Sequence, residues 1–324
     1  FAKFDNDQNG LVGAREFEEG LRAYFRDEDA QKLSDLFSEY TERTVDGGTD
    51  QIDYVTWSLM MQPKHLKYIT ASCREAGPLS LAALEADEIA MLDRLYARVY
   101  KVAEEASKLG VRLLVDAEQT LYQPAIDNIV LDMQKQFNCN STTNHPVVFN
   151  TYQCYLKDSA TRLEQDLTRA DRLGYHFGAK MVRGAYMESE RAMADRFGYE
   201  SPIHDTPEET HESYNSSIRR VLQYSKTSDP SVEVMLASHN QESIQLAVQA
   251  MNELDVHREK PTIVFAQLYG MMDHVTLALG SHGYRAYKYV PYGEVKLAMP
   301  YLIRRARENS SVSKSAANEL SLIA

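Results

Sequence analysis

The stretch Gly110-Val111-Arg112-Leu113-Leu114-Val115-Asp116 decides how the rest of the chain is read. Ahead of it, Ile89, Leu92, Tyr96, Val99, Val102, Ala106 and Leu109 recur at three- and four-residue spacing, which predicts an amphipathic helix that Gly110 ends. Residues 111–115 then form a short apolar run that stops at a carboxylate, Asp116. Pro124 opens a second helix with Ile126, Ile129, Val130, Met133 and Phe137 along one side. The same rhythm continues downstream. Strands are predicted at 147–149, 177–182, 232–236, 262–266 and 284–289. Helices are predicted through Leu163, Leu167, Ala170 and Leu173, around 214–222, around 244–254, in a short segment after 266, and from about 294 to 309. Alternation of this kind at roughly thirty-residue intervals marks parallel βα units.

Two architectures accommodate such units, an open doubly wound sheet and a closed barrel. Neither GxGxxG nor GxxxxGK[ST] occurs, which counts against the nucleotide-binding open sheets. Nearly every predicted strand ends in a polar residue able to do chemistry: Asp116, Asn150, Lys180, His239, Gln267 and Tyr289. A barrel gathers such residues around one mouth, whereas an open sheet spreads them along an edge. The expected fold is therefore α/β, a (β/α)8 TIM-type barrel over residues 81–324. Six of its strands are in view, and the first two are expected upstream of residue 1.

Residues 1–62 form a separate block, an EF-hand-like helical module. Phe4-Asp5-Asn6-Asp7-Gln8-Asn9-Gly10-Leu11-Val12-Gly13-Ala14-Arg15-Glu16 fits the calcium-loop pattern. Asp5, Asp7 and Asn9 supply side-chain oxygens, Leu11 a backbone carbonyl, and Glu16 closes the shell with two oxygens. The bland reading of the same residues is an acidic surface turn. A mate is expected between Phe37 and Trp57, where the spacing around Val45-Asp46-Gly47-Gly48-Thr49-Asp50-Gln51-Ile52 is irregular. Thr56 stands there in place of the closing glutamate, so this second loop is read as degenerate and metal-free. Residues 63–80, with Pro63, Gly77 and Pro78, read as a linker.

Composition limits the function. The 324 residues are 44% hydrophobic and 25% charged, as in an ordinary globular protein. A net charge of -12 argues against a nucleic-acid partner, which needs a basic face. No apolar run is long enough to span a bilayer. Cys73, Cys139 and Cys154 form no CxxC pair and suit free thiols in a reducing compartment.

Three clusters carry candidate chemistry. Val115-Asp116-Ala117-Glu118 places a carboxylate at a strand end, where it can also serve as a cap for the loop that follows. Lys180-Met181-Val182-Arg183-Gly184-Ala185-Tyr186 sends a lysine inward from a strand, and a structural ion pair with Asp116 is the competing reading. Tyr301-Leu302-Ile303-Arg304-Arg305-Ala306-Arg307-Glu308 puts Tyr301, Arg305 and Glu308 one turn apart on a helix. Arg304 and Arg305 can converge on a carboxylate, or can form part of a solvated face.

In order and at family spacing, VDAEQT, NTYQCYLKD, KMVRGAY, ASHN, YKYVPYG and PYLIRRARENS resemble the proline dehydrogenases, with the greater likeness to the mitochondrial eukaryotic branch, some members of which carry an EF-hand-like insertion. The resemblance covers residues 80–312. It implies a barrel that holds FAD in its mouth and oxidises proline to Δ1-pyrroline-5-carboxylate by hydride transfer to the flavin. It further implies a quinone electron acceptor, peripheral membrane association and a place on the matrix side of the mitochondrial inner membrane. Carried over by motif, Arg304 and Arg305 grip the substrate carboxylate, and Tyr186, Tyr289 and Tyr301 wall its ring. Lys180 lies against the flavin edge, and Asp116 is the acidic group beneath the site. Ala117, Asn150, Arg183, Gly184, Ala185, Ser238 and His239 fall at flavin-binding positions, Asn150 standing where bacterial members usually carry glutamine. The family's substrate-side lysine has no counterpart on a βα unit here; Lys67 is a poor candidate, and the strand bearing it is expected upstream.

Two alternatives stay open. A hydroxyproline dehydrogenase of the same fold is expected to carry a smaller residue at Tyr289. A calcium-binding module on a non-catalytic barrel would bind no flavin. A metal-dependent barrel hydrolase or aldolase needs clustered histidines and carboxylates at strand ends, where only His239 is so placed.

Overall fold

The computed structural model describes residues 1–26, 34–35, 51–60, 63–75, 80, 83–139, 143–227, 231–258 and 262–308. Two compact units divide the chain, Phe1–Val102 with Gln165–Arg172, and Ala103–Glu164 with Leu173–Ala324.

The first unit begins with a short strand β1 (Leu11–Gly13) and helix α1 (Ala14–Tyr24). Strand β2 (Gln51–Asp53) pairs antiparallel with β1, Val12 opposite Ile52, and leads into α2 (Tyr54–Met60). Phe4, Val12, Phe17, Leu21, Phe25, Ile52 and Ile69 make its core, with Trp57 against them. The rings of Phe4 and Trp57 lie 4.9 Å apart. Gly20 is required by this packing, because a Cβ there would come 2.4 Å from the Phe4 ring.

The linker expected at 63–80 is corrected over its first half. Pro63–Ala71 is a helix, α3, and Ile69 belongs to the core. Proline is favoured in the first turn of a helix, so Pro63 starts an element where it had been read as a break. Lys67 sits on this helix, 2.5 Å from Glu85. The unit boundary lies between Val102 and Ala103, inside α4 (Ala86–Leu109), and not at residue 81. Of the degenerate second loop, residues 45–50 lie outside the described residues. The Thr56 hydroxyl accepts from Arg172, which also pairs with Asp53 at 2.6 Å.

The second unit is built on six parallel strands, β3 (Leu113–Leu114), β4 (Val148–Gln153), β5 (Phe177–Val182), β6 (Val232–Ala237), β7 (Ile263–Leu268) and β8 (Ala286–Tyr289). Their spatial order is their sequence order. A doubly wound sheet reverses that order at a switch point and a barrel never does, so this is the wall of a (β/α) barrel. Helices α5 (Gln123–Phe137), α6 (Ser159–Leu173), α7 (Met187–Phe197), α8 (Pro207–Thr227), α9 (Gln241–Glu253), α10 (Asp273–Ser281) and α11 (Val295–Glu308) follow the strands. Every residue of β4 is buried, as expected of a parallel strand covered on both faces. Gly110, at φ +66°, ends α4 in the left-handed conformation and turns the chain into β3. The Asn240 side chain caps α9 by accepting from Ser243 N at 2.8 Å. Between β5 and α8 the chain contains α7, which the apolar periodicity does not predict.

Candidate active site

All the barrel strands point the same way, so the residues at their C-terminal ends meet at one mouth. Lys180, on β5, forms an ion pair with Asp116, the residue two places beyond β3. The lysine is mostly buried and Asp116 is mostly exposed, so the pair sits where the wall opens to solvent. Both readings of this pair, catalytic and structural, place it at the mouth. Ala117 follows in the same loop, half-buried.

Next to this pair lies a tyrosine cluster. The Tyr186 hydroxyl donates to Glu118 Oε1 at 2.7 Å. Tyr289, at the end of β8, and Tyr301, on α11, have ring centroids 5.9 Å apart. The Arg305 guanidinium lies over the Tyr301 ring, 5.4 Å from its centroid. Burial, and then the bond to Glu118, pushes the Tyr186 hydroxyl up to about 12. Burial, and then the hydrogen bond with Tyr289, pushes Tyr301 up to about 12. Asp116 adds to both rises and the Arg305 charge opposes both, so one carboxylate and one guanidinium act on tyrosines from separate elements. Both phenols are neutral at physiological pH and can serve as walls and donors. Arg304 is on the same helix; its side chain, like that of Glu308, lies outside the described residues.

Beyond β5, Arg183 is a half-buried guanidinium among neutral groups. It donates to His211 Nδ1 at 3.1 Å, and to Ser238 Oγ and Ser243 Oγ at 2.9 Å each. It also lies over the Tyr214 ring at 4.6 Å. Burial lowers its pKa. Among the described residues it has no carboxylate partner. A fixed cation held in this way suits an anionic ligand, and a diphosphate-bearing cofactor such as FAD meets that condition. Gly184, at φ +134°, turns the chain away past Tyr155, whose ring would lie 2.4 Å from any Cβ. Ala185 follows, exposed. His239 accepts at Nε2 from Leu268 N at 3.0 Å, which ties the end of β6 to the end of β7.

Asn150 is a correction. It lies in the middle of β4, not at its end, and its Nδ2 donates to Asp127 Oδ1 on α5 at 2.9 Å. Asp127 in turn pairs with Arg162 on α6. Side chains alternate along a strand. Thr151 is the register partner of Lys180 and donates to Val115 O, so Thr151 and Gln153 share the face turned to the β3 loop. Asn150 points to the helices. Gln153 ends the strand and donates to Glu118 O at 2.8 Å. The glutamine facing the mouth is thus three residues further on. Gln267, also expected at the mouth, accepts from Thr276 Oγ1 on α10 at 2.8 Å and belongs to the helix layer.

Three residues of this neighbourhood escape the sequence reading. Gln153 could have been found by counting alternate residues along β4. Glu118 stands two places after Asp116 within a quoted motif. Glu190, buried on α7, accepts from Thr120 N at 2.6 Å and Thr120 Oγ1 at 2.7 Å, and leaves no periodicity signal.

In the first unit, one carboxylate oxygen each from Asp5, Asp7 and Glu16 lies within 4.8 Å of the others. Gly10 turns at φ +84°, and the Asn9 side chain accepts from Leu11 N at 2.7 Å. Glu16 accepts from Asn6 N and Gly13 N at 3.0 Å each, closing the loop on itself.

The proline dehydrogenase family model matches residues 15–318. The chain is 39% identical to human mitochondrial proline dehydrogenase 1 over 98% of its own length and 53% of that protein. It is 42% identical to the mouse hydroxyproline dehydrogenase over 76% of its length and 53% of that protein. It thus spans about half the length of the curated relatives it matches. A crystal structure of proline utilization A from Bdellovibrio bacteriovorus superposes with a TM-score of 0.61 at 24% identity, covering 67% of this chain and 22% of that one, and shares the fold. With sequential parallel strands, a mouth of tyrosines, arginine and a Lys–Asp pair, and a family match over nearly its whole length, the chain belongs to the proline dehydrogenase family.

Proposed function

We propose that the protein of which this chain is part oxidises L-proline to Δ1-pyrroline-5-carboxylate with FAD as cofactor. The observation that carries this reading is the grouping of Arg305, Tyr186, Tyr289, Tyr301 and the Lys180–Asp116 pair at one end of a parallel barrel wall. Arg305, with Arg304 beside it on α11, binds the substrate carboxylate; the fork shape of a guanidinium matches it in geometry and charge. The three tyrosines enclose the pyrrolidine ring and exclude water from it, so that the reacting carbon is held in a single orientation. Arg183, Ser238, His239 and the backbone at Gly184 and Ala185 would hold FAD, with Lys180 as the cation at its edge and Ala117 and Gln153 alongside. Bound FAD would supply the acceptor for the hydride that leaves the substrate ring.

Proline is favoured over hydroxyproline because Tyr289 retains a full ring against Tyr301, which leaves less room for a ring hydroxyl. A quinone is the proposed electron acceptor and the matrix side of the mitochondrial inner membrane the proposed location, with peripheral association. The relatives named mitochondrial support the compartment, and the family resemblance alone supports the acceptor and the finer placement. Among the described residues no helix is long and apolar enough to cross a membrane. Proline-dependent reduction of a soluble quinone analogue by the full-length protein tests the reading, and turnover with hydroxyproline alone would refute it.

A second reading concerns the first unit. The convergent Asp5, Asp7 and Glu16 carboxylates favour Ca²⁺ binding in that loop, with Asn9 and the Leu11 carbonyl completing the oxygen set.

A further inference from the structure

The loop between β3 and α5 carries Asp116, Ala117 and Glu118 to the mouth, and its next residues are held from behind. Glu118 N donates to Gln123 Oε1 at 2.9 Å, and Glu118 O accepts from Gln153 Nε2 at 2.8 Å. Gln119 Nε2 donates to Ser189 Oγ at 3.4 Å. Thr120 gives both its donors to one carboxylate, N to Glu190 Oε1 at 2.6 Å and Oγ1 to Glu190 Oε2 at 2.7 Å. Glu190 is 1% exposed.

Tyr186 and Glu190 belong to the same helical turn. Tyr186 is the N-cap residue of α7, and its carbonyl accepts from Glu190 N at 2.9 Å. Residues four apart on a helix lie on one face, separated by about 6 Å along the axis. Tyr186 and Glu190 thus take hold of Glu118 and Thr120 as two points of one clasp. The outer point is the Tyr186–Glu118 bond at the mouth and the inner point is the buried Glu190–Thr120 pair. An apolar residue at 190 would cost less to desolvate; a carboxylate with two directed acceptors adds a fixed position for the loop.

We propose that Glu190 is a positioning residue for the reaction: by clamping Thr120 it sets Glu118 beneath the Tyr186 hydroxyl and so fixes the aromatic wall that receives the substrate ring. This rests on the proline-oxidising reading of the mouth. Glu190 acts through Thr120, Glu118 and Tyr186, in that order, and touches neither substrate nor cofactor.

The test uses the full-length, flavin-loaded protein carrying Glu190→Gln or Thr120→Val, each alone and combined with Tyr186→Phe. Each single substitution should raise KM for proline about tenfold (about 1.4 kcal/mol). The flavin absorbance should be retained and kcat should stay within about twofold. In the Tyr186→Phe background, where the outer point is already open, neither change should move KM further. Effects that multiply in the double variants would overturn the proposal. So would variants that lose flavin and melting temperature while KM stays constant, since Glu190 would then be a structural group only. Should Glu190→Gln fail to fold, Thr120→Val decides alone, because it keeps the backbone bond to Glu190. Wild-type protein whose flavin is not reduced by proline overturns the function itself and this inference with it. A proline-reducible wild type with independent variants overturns only the clasp.

Discussion

Replacing Arg183 with methionine separates a ligand-binding guanidinium from a structural one, because the two roles predict opposite results for the cofactor-free and loaded protein. In the structure its fork makes three bonds to neutral acceptors, at 2.9, 2.9 and 3.1 Å, and among the described residues no carboxylate neutralises it. Each such bond has a charged donor and contributes about 1.5–3 kcal/mol, while burying a charge without a counter-ion costs several, so the two largely offset one another in the empty protein. The flavin-stripped variant should therefore melt within about 4 °C of the parent, or above it. Towards FAD the balance differs. A charge-assisted bond to an anion is worth about 1.5–3 kcal/mol, which corresponds to roughly 10- to 150-fold in affinity. Titrating stripped protein with FAD by fluorescence quenching gives the affinity, and differential scanning calorimetry gives the melting temperature. Arg183→Lys keeps the charge and loses the fork, so it should fall between the two. Unchanged FAD affinity together with a large fall in melting temperature would refute the assignment and leave Arg183 as part of the core.

Arg305→Met should raise KM for proline far more than it lowers flavin content, by about 100-fold if a bidentate carboxylate contact is lost; an unchanged KM in steady-state kinetics would remove Arg305 from the substrate site. Tyr289→Ser should shift preference towards hydroxyproline, read as the ratio of kcat/KM for the two substrates. Asp5→Ala combined with Glu16→Ala should abolish Ca²⁺ binding measured by calorimetry, and persistent tight binding would place the ion elsewhere. Tyr186 and Tyr301, both raised from 10 to about 12, favour their neutral forms in the folded protein. The stability they contribute is fully present below pH 10 and is lost as pH rises towards 12. A tyrosinate absorbance titration of the parent minus Tyr186→Phe should show the missing phenol ionising near 12, and a value near 10 would contradict the buried bond to Glu118.

The strands are legible because each is an apolar run between helices of clear period, and the barrel order follows from the polar residues at their ends, which one mouth can gather. The positions of Lys180, Arg183 and Tyr289 were readable from motif and spacing. What escaped did so for identifiable reasons. Residues 147–149 were predicted as a strand ending at Asn150, but β4 continues through Thr151, Tyr152 and Gln153, polar residues buried by hydrogen bonds to the β3 loop and by helices. Stopping the strand early also puts Asn150 at a strand end, whereas it lies inside β4 with its side chain donating to Asp127 on α5. Helix α7 has Glu190 and Ala194 as its buried residues, so an apolar-periodicity reading has nothing to register. Pro63, read as a linker, begins a helix. The environment of Arg183, built from three residues on two helices and a strand end, has no sequence signature at all.

The most direct measurement is a visible absorbance spectrum of the purified full-length protein, recorded under anaerobic conditions before and after adding L-proline. The mouth geometry predicts the two-band yellow spectrum of an oxidised flavin that proline bleaches and hydroxyproline bleaches more slowly. A protein that stays colourless after incubation with FAD, or whose flavin bands proline leaves unchanged, would contradict the assignment of this mouth as a proline-oxidising site.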